Sequence, residues 1–218
     1  MRNTERFAIR VDSRRVEDRP AVWYGELGHR KRPNGDRQAE SLKADYIIFA
    51  SPGRGTDRER SAAQMQEFLR ICLKYNPVIT KNGTGRVSAL FTDLDALNRT
   101  VEELVRVSLG LSIVISGLMD EVSQCCRAAG IERHSAEHSL GIWGARDRLP
   151  ERSILELNTM CGHGLASFNL IRKMIECVKL RRLTPKKAAA IMARSCECGA
   201  FNPIRAEVLL EKARKGEK

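Results

Sequence analysis

The strongest constraint on the fold is a change in the hydrophobic pattern near Pro150. Before it, short apolar runs typical of buried strands, such as Tyr46–Ala50 and Leu111–Ile115, alternate with stretches of helical periodicity. The segment Asn82-Gly83-Thr84-Gly85 separates two further strand-like runs and indicates a β-hairpin. No strand signal follows Pro150. The pattern predicts an α+β protein, in which a mixed sheet with helices packed on it precedes an all-helical C-terminal part.

Helix-start and helix-stop residues define the expected helices. Thr184-Pro185 and Asn202-Pro203 each place a capping residue before a proline, which is typical of a helix N-terminus. Asp93 is expected to cap another helix, and Gly130 to end one. The remaining periodic stretches complete the predicted set: Arg58–Tyr75, Met119–Ala129, Glu151–Met160 and Leu165–Leu180.

Three regions are expected from these patterns: a polar N-terminal segment at 1–40, an α+β sheet domain at 41–149 and a helical Cys/His-rich region at 150–218. Phe7–Val11 is expected to form an edge strand, and His138–Gly144 a last strand. No apolar window is long enough for a bilayer, and no signal peptide is visible. We therefore expect a cytoplasmic protein with no membrane partner.

Seven cysteines occur in the 218 residues, and four of the Cys and His residues form two closely spaced pairs. In a reducing compartment, disulfides are unexpected, so metal or thiol chemistry becomes the more informative interpretation. Composition alone predicts about 0.35 Cys-x-Cys or Cys-x-His pairs. Two occur, which indicates that the spacing is not accidental.

The two pairs are Cys161-Gly-His163-Gly and Cys196-Glu-Cys198-Gly, with 32 residues between His163 and Cys196. Three thiolates and one imidazole form a common tetrahedral zinc ligand set, and the same residues can hold an iron–sulfur cluster. Ligands one residue apart require a sharp turn, which Gly162, Gly164 and Gly199 permit because glycine tolerates positive φ. The sequence thus predicts a metal site, with zinc or an iron–sulfur cluster as its cofactor.

Two other interpretations of the same residues stay open. If each pair precedes a helix, the helix N-terminus lowers the pKa of a thiol, and Cys161 beside His163 becomes a candidate nucleophile. Alternatively, the cysteines are small buried hydrophobes, the role we expect for Cys72, Cys125, Cys126 and Cys177.

His134 and His138 stand four residues apart and are expected at the surface.

An anion site is predicted at the ends of two strands. Ser51 and Arg54 follow the strand Tyr46–Ala50, and Ser116 follows the strand Leu111–Ile115. If these strands run parallel, the three residues meet at one edge of the sheet and present hydroxyl donors and a cation to phosphate or carboxylate.

These patterns favour a cytoplasmic metal-binding protein, with zinc or iron–sulfur as cofactor. Enzymatic activity on a small anionic substrate stays open. The formal net charge of +11 supports an alternative, a nucleic-acid-binding or regulatory module that uses the basic surface. Because basic residues are spread along the chain, we expect weak or non-specific binding to nucleic acid.

Overall fold

The structure, a computed structural model, describes residues 6–12, 43–53, 56–83, 85–132, 135–137 and 146–216. Along the chain its strands and α-helices are β1 (Arg6–Asp12), β2 (Tyr46–Pro52), α1 (Arg58–Leu73), β3 (Ile79–Gly83), β4 (Arg86–Phe91), α2 (Leu94–Val107), β5 (Leu111–Leu118), α3 (Met119–Ala128), β6 (Ser135–Glu137), α4 (Arg152–Asn158), α5 (Phe168–Lys179), α6 (Pro185–Ala193) and α7 (Pro203–Lys215). A short 3₁₀ helix at Arg146–Arg148 precedes α4. The α+β class, with helices packed on a sheet and a helical C-terminal part, is confirmed.

Within the described residues, the strands form one sheet in the order β3-β4-β2-β5-β1-β6. Every neighbouring pair is antiparallel, so the expectation of a mixed sheet is wrong in this detail. The reason lies in the position of β2, which is inserted between β4 and β5 and is antiparallel to both. The two strands joined by α2 therefore run in the same direction but are not neighbours.

Both faces of the strands β2, β4 and β5 are largely buried. On one face, alternate residues such as Ile48 and Ile115 pack with Phe68 of α1 and Leu104 of α2. On the other face, Ile47, Phe49 and Leu90 pack with the C-terminal helices. Because strand side chains alternate between faces, neighbouring residues of β2 belong to different cores. The C-terminal helices thus form the third layer of the molecule.

Several predicted boundaries agree with the structure. Thr184 accepts a hydrogen bond from the backbone N–H of Lys187, so it caps α6 as expected. The predicted edge strand Phe7–Val11 lies within β1, but β1 runs between β5 and β6 and is not at the edge. The predicted strand His138–Gly144 lies outside the described residues. No helix in the described ranges is both long and apolar enough to span a membrane.

A buried polar network joins the C-terminal layer to the start of β2. The Nη1 atom of Arg205 donates to Oδ2 of Asp45 over 2.9 Å, and these side chains are 6% and 0% exposed. Asn202 donates to Oδ1 of Asp45 and accepts from the backbone N–H of Ile204 and Arg205. The Asn202 side chain therefore caps α7 and holds it against the sheet.

The first prediction concerns this network. Asp45→Ala should lower the free energy of unfolding by about 3–5 kcal/mol, because it leaves the buried Arg205 guanidinium without its carboxylate partner. Equilibrium urea denaturation measures the change. The matched control is Glu211→Ala, which removes the solvent-accessible ion pair with Arg214 and should cost much less, because exposed ion pairs contribute little to stability. Equal losses in the two variants would contradict the structural role of the buried pair.

Candidate metal centre

Each Cys/His pair follows the C-terminus of a helix. Cys161 stands three residues after the last residue of α4, and Cys196 stands three residues after the last residue of α6. A backbone bond to the residue three positions earlier occurs at both places, but one residue out of register: the N–H of Gly162 bonds the carbonyl of Thr159, and the N–H of Cys196 bonds that of Ala193. Two turns, each after a helix end, thus present the ligands.

This placement corrects the expectation that each pair sits just before a helix. The next helices, α5 and α7, begin only at Phe168 and Pro203. A helix C-terminus carries partial negative charge and does not stabilise a thiolate. The interpretation of Cys161 as a nucleophile activated by a helix N-terminus therefore loses its electrostatic support.

The glycines beside the ligands adopt the conformations predicted for them. Gly162, Gly164 and Gly199 have φ values of 74°, 65° and 74°. These values lie in the left-handed region, which other residues enter at a cost of roughly 1–2 kcal/mol. In both turns a left-handed glycine follows the second ligand directly.

Three of the four predicted ligand atoms form a compact group, and the fourth, Sγ of Cys196, lies next to it. Sγ of Cys161 lies 3.4 Å from Nδ1 of His163 and 3.5 Å from Sγ of Cys198. Sγ of Cys198 lies 3.7 Å from Sγ of Cys196. The atoms of Cys161, His163 and Cys198 all lie within 4.8 Å of one another. We call these four residues the Cys/His site; its cysteines are free thiols.

The three contact distances can be compared with the edges of a tetrahedral ligand shell. With Zn–S near 2.3 Å and Zn–N near 2.0 Å, a regular tetrahedron has S···S edges of about 3.8 Å and S···N edges of about 3.5 Å. The measured edges differ from these values by a few tenths of an ångström. Cys161, His163 and Cys198 could therefore hold one metal ion, and Cys196 lies beside Cys198 as the candidate for a fourth ligand.

Hydrogen bonding within the site favours negative charge on Cys196. Bonds from Cys161 and Cys198, and the backbone N–H groups of Phe201 and Ala200, lower the pKa of the Cys196 thiol well below its ordinary value. The bonds that Cys161 makes with Cys196 and Cys198, together with burial, raise the pKa of Cys161. At Cys198, the bond with Cys161 lowers the pKa, while the bond with Cys196 and burial more than reverse it.

The site is buried on one side and open on the other. Cys161 and Cys196 are each 3% exposed and belong to the core beneath the sheet, Cys198 is half-buried, and His163 is exposed. The N–H of Phe201 donates to Sγ of Cys196 over 3.3 Å. Sulfur ligands thus face the protein interior, and the imidazole covers the side towards solvent.

Supporting residues that the sequence pattern did not indicate hold both turns. Ser88 of β4 donates through Oγ to the carbonyl of Cys198 over 2.9 Å. Asn158 donates to the carbonyls of Gly164 and Ala166, which closes the turn around His163. An asparagine at a helix C-terminus is a detectable local signal, whereas Ser88 is 110 residues from Cys198 and only the tertiary structure reveals it.

The predicted anion site is not assembled by the sheet. Ser116 pairs with Ile47 and Ser51 pairs with Ser112, because β2 and β5 are antiparallel and not parallel. Ser51 and Ser116 are therefore separated by about four residues along the strands, roughly 13 Å. Ser116 is also 1% exposed. Arg54, His134 and His138 lie outside the described residues.

The second prediction concerns Gly199. A Cβ atom there would lie 2.6 Å from Cγ of Lys81 and 2.7 Å from Oγ of Ser88, at a φ of +74°. Gly199→Ala should displace the Cys196–Cys198 turn from the sheet, reduce bound metal and lower thermal stability. Gly216→Ala is the matched control, since Gly216 has the same φ and no atom within 4 Å of its Cβ position. Thermal melts and metal analysis compare the two; equal effects would mean that backbone strain alone matters.

Comparisons with models of protein families, with curated proteins and with solved structures find no match for this chain. A functional assignment therefore depends on the geometry and chemistry of the Cys/His site itself.

Proposed function

We propose that the chain is a metal-binding protein in which Cys161, His163, Cys196 and Cys198 hold a single zinc ion. The observation that carries the proposal is the compact group formed by Cys161, His163 and Cys198, with Sγ of Cys196 3.7 Å from Sγ of Cys198; the contacts of 3.4, 3.5 and 3.7 Å are close to ligand–ligand distances around one zinc ion. Thiolate and imidazole ligands in tetrahedral geometry suit zinc among the common divalent ions.

The same distances favour one ion over an iron–sulfur cluster. In a [4Fe–4S] cluster each cysteine binds a different iron, so the ligand sulfurs stand around a larger body. Here three sulfurs lie in sequence at contact distance, with neighbouring pairs 3.5 and 3.7 Å apart. That spacing leaves room for one ion between them and not for several irons with bridging sulfides.

A structural role suits this zinc better than a catalytic one. Catalytic zinc sites commonly have three protein ligands and leave the fourth position for water or substrate, whereas structural sites use four. Four protein ligands are available here. They come from the α4–α5 and α6–α7 connections, and the second connection is bonded to β4 through Ser88. Zinc would therefore link two helical turns to one sheet face.

The third prediction tests the proposal directly. Protein purified under both aerobic and anaerobic conditions should contain about one zinc per chain and show no visible absorption near ~400 nm, where thiolate-to-iron charge transfer occurs. Cys161→Ser should lose most of the metal and melt at a lower temperature, because structural zinc binding is coupled to folding. Metal analysis, absorption spectra and thermal melts are the measurements.

Cys177→Ser is the matched control for the cysteine substitution. Cys177 is a partly buried free thiol on α5 and does not belong to the group of close ligand atoms. The Cys177→Ser variant should retain zinc. Its melting temperature, like that of the unmodified protein, should fall when a chelator removes the zinc. A metal-free protein that melts at the same temperature with and without chelator would overturn the proposed function, and a brown protein with bound iron would overturn the choice of zinc.

A further inference from the structure

A second feature lies at the opposite end of the helices that connect the two halves of the Cys/His site. α5 begins five residues after His163, and α6 ends three residues before Cys196. The two helices therefore leave the site and return to it as a helical hairpin. With 12 residues at about 1.5 Å each, α5 carries the connecting turn roughly 18 Å from its start.

This turn concentrates positive charge. The 20 residues from 177 to 196 contain six Lys and Arg residues and no Asp or Glu, against a net charge of +11 for the whole chain. Five of the six lie at the turn and are exposed: Lys179, Arg181, Arg182, Lys186 and Lys187. We call these five residues the basic tip. No ion pair involves them within the part of the chain that the structure describes.

Arg181 occupies a position that ordinarily favours glycine. Its φ is 56°, in the left-handed region. The N–H of Arg181 bonds the carbonyl of Val178, and the N–H of Arg182 bonds that of Cys177 over 2.8 Å. This is the Schellman arrangement that ends many helices, and glycine is usual at its left-handed residue. A cation therefore occupies a position at which glycine would make the protein more stable.

We propose that the basic tip binds the phosphate backbone of double-stranded nucleic acid. Clustered, exposed and unneutralised cations are the electrostatic pattern of such a surface. Contacts between these cations and phosphate groups carry no sequence information, so we expect binding that is independent of nucleotide sequence. This function goes beyond zinc binding and uses different side chains.

The composition of the tip argues against two other polyanions. Surfaces for single-stranded nucleic acid stack bases on aromatic side chains, and residues 169–200 contain no Phe, Tyr or Trp. Membrane-surface helices combine cations with a broad apolar face. Among residues 177–187, Leu180 is the one large apolar side chain that is exposed, at 52%. A single side chain does not form such a face.

The fourth prediction measures binding of the zinc-loaded protein to a short labelled DNA duplex by fluorescence anisotropy. Five phosphate contacts correspond to a slope of about −4 in log affinity against log salt, or a loss of roughly a few hundredfold between 50 and 200 mM. The double substitution Lys186→Gln/Lys187→Gln should lower affinity at about 50 mM salt by at least tenfold and make the slope shallower by about 2.

The matched control is Arg58→Gln/Arg60→Gln, which removes the same charge from exposed positions on α1, on the other face of the sheet. It should leave most of the affinity in place. Equal losses in the two double variants would overturn the proposal, since attraction would then follow net charge alone. Tighter, tip-dependent binding to anionic phospholipid vesicles or to single strands would also overturn it. Metal content measured on every variant separates these outcomes from a failure of the zinc site.

Arg181→Gly provides a test in which stability and binding change in opposite directions. Glycine relieves the left-handed conformation, so the melting temperature should rise by about 2 °C. Affinity for the duplex should fall and the salt slope become shallower by about 1, because one cation is lost. Higher stability with unchanged affinity would contradict a role for Arg181 in binding.

Discussion

The close contact between the Cys196–Gly199 turn and the strands β3 and β4 fixes one point at which the C-terminal layer meets the sheet. Gly199 approaches Lys81 and Ser88 so closely that no Cβ fits, and Ser88 bonds the carbonyl of Cys198. Because this turn is fixed, Cys196 and Cys198 have a defined position relative to the sheet. The turn that carries Cys161 and His163 then completes the set from the end of α4.

Three neighbouring thiols, two of them buried, are an unfavourable group to ionise without a partner. The hydrogen bonds among the thiols lower the pKa of Cys196 and raise that of Cys161. A divalent cation would remove the repulsion between ionised thiols, because thiolates bind the cation and its charge offsets theirs. The neighbouring polar network of Asp45, Asn202 and Arg205 satisfies its charges internally. The two clusters therefore lie in the same layer but differ in chemistry: the second pairs its own charges, whereas the first has the residues to hold an ion.

The helical hairpin α5–α6 connects the Cys/His site with the basic tip, and different residue types occupy the left-handed positions at its two ends. At the Cys/His site, left-handed positions are occupied by glycine, which minimises strain where the ligands must converge. At the basic tip, the left-handed position is Arg181. The Cys/His site and the basic tip are thus separated by about the length of α5. Metal at one end would hold the hairpin in place while the other end contacts a partner.

Much of the local structure could be predicted from the chain alone. Alternating and helical periodicities, the caps at Thr184 and Asn202, and the glycines at 162, 164 and 199 act through neighbouring residues, so their effects are visible in a short window of sequence. The pairing of the Cys/His residues followed from their spacing and chemistry. Tertiary structure decided the rest. Strand direction depends on which strands become neighbours, and the insertion of β2 between β4 and β5 made the sheet antiparallel and separated Ser51 from Ser116. The contacts of Ser88 with Cys198 and of Asp45 with Arg205 join residues 110 and 160 positions apart, a distance over which local patterns carry no information.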